Sequence, residues 1–101
     1  MKIVKIFKIL IGIIFLHYSL IAQINLHGFV SDALTKERLI GANIRIEGTS
    51  RGTITNNYGF FSLPDINSSG IKIKISYLGY VTKIIELKEI ENKPINIFLK
   101  P

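Results

Sequence analysis

The sequence predicts an all-β protein, an antiparallel Greek-key β-sandwich of about seven strands preceded by a short apolar N-terminal helix. Three observations carry this expectation. Beyond residue 22 the chain shows period-two alternation and almost no helical periodicity, most clearly in Ile71-Lys72-Ile73-Lys74-Ile75-Ser76-Tyr77. The apolar residues are largely β-branched or aromatic, the types that suit a pleated surface. The runs are short and punctuated by Gly, Pro, Asn and Asp, each of which has a physical reason to sit in a turn.

The first 22 residues read differently from the rest. Lys2, Lys5 and Lys8 make a basic start, residues 9–16 are apolar apart from Gly12, and His17-Tyr18-Ser19-Leu20-Ile21-Ala22 follows. A positive region, a short apolar region and a small residue at the cut describe a secretory signal peptide over 1–22, cleaved after Ala22. Residues 9–21 fall short of the roughly 20 apolar residues that span a bilayer. The chain has no cysteine, which excludes the acylated lipoprotein route and any disulfide staple. The domain is then 23–101, and its stability must come from a compact β core or from a neighbouring domain.

Export changes the charge argument. The chain carries net charge +6, but three of its cations lie in the leader, which leaves +3 on the domain. That excess is spread over solvent faces and lacks the stripe of a nucleic-acid binder, so no nucleic-acid partner is expected.

In chain order, Leu26, Gly28 and Val30 share one face of the first strand, with Asn25, His27 and Phe29 on the other. A polar crossover, Ser31-Asp32-Ala33-Leu34-Thr35-Lys36-Glu37-Arg38, leads to a second strand with Ala42, Ile44 and Ile46 inward. Gly48, Gly52 and Gly59 are expected at positive φ, and Asn56-Asn57 as a turn pair tolerant of the left-handed region. Phe61 and Leu63 then alternate with Phe60 and Ser62. Residues 64–70 are expected as an exposed loop and 71–77 as a strand. Leu78-Gly79 is expected as a tight hairpin turn into a strand over 81–87. Pro94 sits where a missing N–H does least harm, before a last strand with Ile95, Ile97 and Leu99 inward.

No residue set in the chain points to catalysis. His27 is the single histidine after the leader, and metal or acid–base sites need partners for it that are missing. Residues 65–70 look like the start of a calcium loop, but the bidentate acid expected at the twelfth position falls on Ser76. Asn67-Ser68-Ser69 fits a glycosylation sequon only by pattern. Ser31, Ser50 and Ser62 have no His/Asp partners. Gly48-Thr49-Ser50-Arg51-Gly52 lacks the helix and Lys-Ser/Thr pair of a phosphate loop. Tyr77, Tyr80, Phe60 and Phe61 read as core packing before they read as a binding patch, and Arg45, Arg51, Lys72 and Lys74 as a solvated face. No catalytic, metal or cofactor residue is assigned, and no cofactor is expected.

Four pieces of sequence in fixed order carry a family resemblance. They are Gly28/Val30/Asp32; Leu39/Gly41/Ala42/Ile44/Ile46/Gly48/Thr49; Gly52/Thr53/Thr55/Asn56/Gly59/Phe61; and Ile75/Ser76/Tyr77/Gly79/Tyr80. Together they resemble the carboxypeptidase-regulatory-like domain over about residues 24–99. The resemblance implies a transthyretin-like sandwich, as found in the periplasm at the N-terminus of TonB-linked outer-membrane receptors of the SusC/RagA type from Bacteroidetes-like bacteria. There it precedes a TonB box, a plug and a barrel that imports glycans or peptides. None of these follows in the sequence, which ends at Phe98-Leu99-Lys100-Pro101 and is expected to be a free-standing module, a fragment or a truncated gene. The function implied is a non-catalytic exported accessory domain. Its partner would be a protein of the periplasm or outer membrane, such as a receptor component, with membrane contact only through the leader or that partner. Its sheet edges or the Gly48–Gly59 loop would dock that partner. A stand-alone transthyretin-like protein binding a glycan or hydrophobic ligand, and an accessory domain of a metallocarboxypeptidase, are the alternatives.

Overall fold

The structure, a computed structural model, describes residues 23–67 and 70–101. Residues 1–22, expected as a signal peptide, lie outside the described residues, as do Ser68 and Ser69 of the calcium-like and sequon patterns. Seven strands follow one another: β1 (Ile24–Asp32), β2 (Asn43–Ile46), β3 (Gly52–Ile54), β4 (Phe60–Ile66), β5 (Ile71–Ser76), β6 (Lys83–Leu87) and β7 (Ile95–Leu99). They form two sheets, ordered β4-β1-β7 and β3-β2-β5-β6. Pairing is antiparallel except between β1 and β7, which run parallel from Gly28↔Ile95 to Asp32↔Leu99. The exception follows from connectivity: residues 88–94 cross between the sheets at the end where β1 begins, so β7 enters alongside β1 in the same direction.

The inward faces are those that the alternation defines. Leu26, Val30, Ala42, Ile44, Phe61, Leu63, Ile73, Ile75, Ile97 and Leu99 are buried in one core between the sheets. Burying each large side chain contributes about 1.5–3 kcal/mol, which is how a cysteine-free domain of this size holds together. Leu39, from the crossover, and Ile90, from the β6–β7 connection, close the two ends of the core and have no strand periodicity to announce them.

Several local expectations differ from what is seen. Residues 64–66 continue β4, and Ile66 is buried. Pro64 is tolerated because β4 is an edge strand. A bulge between Ile24 and Leu26 opposite Ile66 and Leu63 absorbs the irregularity, with Asp65 at φ 58°. Gly52 does not take positive φ. It lies in β3, where a Cβ would stand 2.7 Å from the Ile44 carbonyl oxygen. Neither asparagine of the 56–57 pair is left-handed; Gly59 supplies that conformation at φ 71°. Asn56 acts through its side chain, whose Oδ1 accepts hydrogen bonds from the amides of Tyr58 (2.9 Å) and Phe60 (3.1 Å). The connection after β5 is longer than a two-residue hairpin. A turn at 77–80 is closed by the Tyr80 amide donating to the Tyr77 carbonyl (3.0 Å), and Val81 then donates to Lys100 (2.8 Å), so β6 starts at Lys83 rather than residue 81.

The outer face of the β3-β2-β5-β6 sheet sets Arg45 directly opposite Lys74. Neither has an ion-pair partner; the ion pair among the described residues is Lys93–Glu91, both exposed. Like charges in direct cross-strand register destabilise. Lys74→Glu is therefore expected to stabilise the domain by roughly 0.5 kcal/mol at low ionic strength, and 1 M salt should erase the gain, read as the shift in urea midpoint.

Candidate functional site

The two ends of the sandwich differ in kind. At one end lie the β1–β2 crossover (33–42), the β3–β4 connection (55–59), the β5–β6 connection (77–82) and the last residues, Lys100 and Pro101. At the other lie 47–51, 67–70 and 88–94. Eleven of the twenty-one signature residues gather at the first end: Asp32, Leu39, Gly41, Ala42, Thr55, Asn56, Gly59, Ser76, Tyr77, Gly79 and Tyr80. Gly28, Val30 and Phe61 belong to the middle of the core sheet, while Gly48, Thr49 and Gly52 lie toward the far end.

Asp32 ties this first end together. It terminates β1 and is buried to 6% exposure. One carboxylate oxygen accepts from the amides of Leu34 (2.7 Å) and Thr35 (3.0 Å), an Asx-type turn that starts the crossover. The other accepts from the Tyr80 hydroxyl at 2.7 Å, reaching across to the opposite sheet. The Tyr80 hydroxyl and the backbone amide of Thr35 hold the Asp32 carboxyl below the ordinary value of 3.8. The same bond to Asp32 pushes the Tyr80 phenol up to about 12. The Tyr77 ring packs on Tyr80, with centroids 5.4 Å apart.

These shifts fix a sign for the pH dependence. A carboxyl depressed in the folded state stabilises above its unfolded value and loses that contribution as pH falls below about 4. A phenol raised in the folded state stabilises below about pH 10 and loses that contribution as pH climbs toward 12. Tyr80→Phe is expected to lower the thermal midpoint at pH 7, to flatten its decline between pH 10 and 12 and to weaken its decline below pH 4. An unchanged alkaline limb would show that Tyr80 does not carry the linkage.

Thr55 latches the crossover to the β3–β4 connection. Its hydroxyl donates to the Leu39 carbonyl (2.6 Å) and accepts from the Ala42 amide (2.8 Å). Its own amide and carbonyl pair with Ala42 (2.9 Å) and Gly41 (3.0 Å). At the far end, the Thr49 hydroxyl donates to Ile46 (2.9 Å), and Arg51 donates to the carbonyls of Pro64 and Asp65. The Gly48–Gly59 stretch is therefore not one open loop: it contains β3 and is tied down at both ends.

The four aromatic candidates separate. Phe61 is in the core. Phe60 lies on the outer face of the β4-β1-β7 sheet, 5.4 Å from Phe29 and 6.2 Å from His27 between ring centroids. Tyr77 and Tyr80 stay at the first end. His27 hydrogen-bonds locally, its Nδ1–H donating to the Asn25 carbonyl oxygen at 3.0 Å. Arg38 stacks its guanidinium 4.2 Å from the Phe29 ring centroid and donates to Ser31 Oγ (3.0 Å). No group of three or more His, Cys, Asp or Glu among the described residues could hold a metal ion. Sequence reasoning missed the apolar residues exposed at the first end, Leu34, Ile40, Leu78 and Val81. Their signal was present: large apolar side chains at loop positions, where polar residues are the norm.

The structure is thus a cysteine-free two-sheet β-sandwich, stapled at one end by buried polar contacts and carrying exposed apolar side chains on the loops there. The chain belongs to the CarboxypepD_reg-like domain family, whose model matches residues 26–101. It is 42% identical over 77 residues to the TonB-dependent receptor SusC of Bacteroides thetaiotaomicron. That match covers 75% of this chain and 7% of the receptor, so the chain spans a small part of the length of the curated relative it matches.

Proposed function

We propose that this chain is a non-catalytic, exported accessory domain that acts by protein–protein contact in a TonB-dependent receptor system for nutrient uptake, at the periplasmic face of the outer membrane. The observation that carries the proposal is the 42% identity to a TonB-dependent receptor across nearly the whole domain. The chemistry agrees with it. The most buried acid, Asp32, is engaged by a tyrosine hydroxyl and two amides, three hydrogen bonds that tie it to the fold. The signature residues act as closures, latches and turn formers.

Fractionation of producing cells, with N-terminal sequencing of the recovered chain, tests export: a chain starting at Gln23 in the envelope fraction is expected, and an unprocessed cytosolic chain would refute it. The same preparation is expected to hold no stoichiometric zinc and to hydrolyse no peptide substrate. Zinc with turnover would end the non-enzymatic reading.

A further inference from the structure

We propose that the end of the sandwich formed by 33–42, 55–59 and 77–82 is the docking face of this domain, and that its occupant is a partner protein presenting an apolar segment flanked by acidic residues. The proposal rests on the accessory reading above and names its surface.

The first observation is polarity between the ends. Leu34 (77% exposed), Ile40 (52%), Tyr58 (76%), Leu78 (97%) and Val81 (62%) all project from loops of this end. The far end exposes no large apolar side chain among the described residues; its one such residue, Ile90, is 6% exposed. Scattered surface leucines need no explanation, but their segregation to one end of a small domain does.

The second observation is shape. A groove of about 530 Å³ runs between Gly41 and Asn43 on one side and Tyr77–Tyr80 on the other. A second depression of about 260 Å³ lies beside Val81 and Phe98. Leu78 stands on the ridge next to the groove, at the second position of a turn whose third residue, Gly79, has φ 89°. That is type II geometry, which demands glycine there and fixes the leucine outward. Both depressions are open and shallow, and they lie between loops of separate connections, where side chains of a partner protein segment can enter.

The third observation is charge. Lys36, Arg38, Lys83 and Lys100 surround this end, whereas its acids are exposed Glu37 and Asp32, whose carboxylate is already taken by Tyr80 and two amides. The far end mixes both signs, with Glu47, Arg51, Asp65, Lys88, Glu89, Glu91 and Lys93. An apolar centre with a basic rim selects a partner with an apolar centre and an acidic rim.

The test places a photo-crosslinking benzoylphenylalanine at Leu78 or Ile40, and in separate variants at Glu91 or Lys93, in the full chain within the producing cell. Leu78 and Ile40 are expected to label the same protein, on a peptide with Asp or Glu beside apolar residues. Lys83→Glu with Lys100→Glu is expected to cut that yield roughly fivefold, the size of two rim charges, with an unchanged thermal midpoint as the control for folding. Labelling of phospholipid alone from Leu78 overturns the proposal in favour of a membrane surface. One protein labelled only from Glu91 and Lys93 overturns the choice of face and leaves the accessory reading standing. No protein adduct from any position overturns both.

Discussion

Gly28→Ala is expected to remove a large share of the domain's stability. Gly28 lies opposite Ile95 in the parallel β1/β7 pair. A Cβ at this position would sit 2.0 Å from the Ile95 carbonyl oxygen, 2.8 Å from its nitrogen and 2.9 Å from its carbonyl carbon. All three are backbone atoms, so no side chain can swing aside, and β7 must move away from β1. That displacement withdraws Ile97 and Leu99, each 1% exposed, from the core. A cost of about 3 kcal/mol or more is expected, at the upper end of single substitutions. A domain of this size has a total stability of about 4–12 kcal/mol. Urea denaturation of the full chain measures it, and a loss under about 0.5 kcal/mol would show that the strands separate without penalty.

The second large effect is at Thr55. Thr55→Val keeps shape and volume but deletes the hydroxyl that serves Leu39 and Ala42 at once. Thr55 is 2% exposed and Ala42 fully buried, so water cannot replace the lost partner. Stranding one buried donor and one buried acceptor costs about 2–4 kcal/mol. Thr55→Ser keeps both hydrogen bonds and loses one methyl group, costing about 1 kcal/mol. The order Val worse than Ser, with faster hydrogen exchange at the Ala42 amide in the valine variant, separates a polar latch from simple packing. Equal costs would assign Thr55 to packing alone.

The contrast between these two positions shows what a sequence makes legible. The buried faces of β1, β2, β4, β5 and β7 follow from period-two alternation, because each such strand has one wet side and one dry side. β3 is three residues long, too short to show a period, and so reads as loop. Leu39 and Ile90 plug the core from connections, and a plug has no periodicity. That Gly28 and Thr55 belong to a signature is visible in the sequence, but their reasons are not. Gly28 is required by a strand that arrives 67 residues later, and Thr55 by carbonyl and amide groups of an earlier loop. The Asp32–Tyr80 bond joins residues 48 apart and is invisible for the same reason. The docking face was expected at the sheet edges or the Gly48–Gly59 stretch. β3 and the contacts of Thr49, Arg51 and Thr55 tie down most of that stretch, while its Tyr58 stays exposed at the same end as Leu34, Ile40, Leu78 and Val81.

Most signature residues thus serve architecture. Gly28 admits β7, Thr55 latches the crossover, and Asp32 with Tyr80 joins the two sheets beneath the loops. Architecture of this kind presents a surface, and the proposed accessory function rests on that surface.

Native mass spectrometry of the chain immunopurified from gently solubilised envelopes tests that claim most directly. The account predicts a stoichiometric complex with a protein of a TonB-dependent receptor system, lost in Leu78→Glu and kept in Lys93→Glu. A chain that emerges alone, or bound only to a glycan or a small hydrophobic ligand, would contradict it.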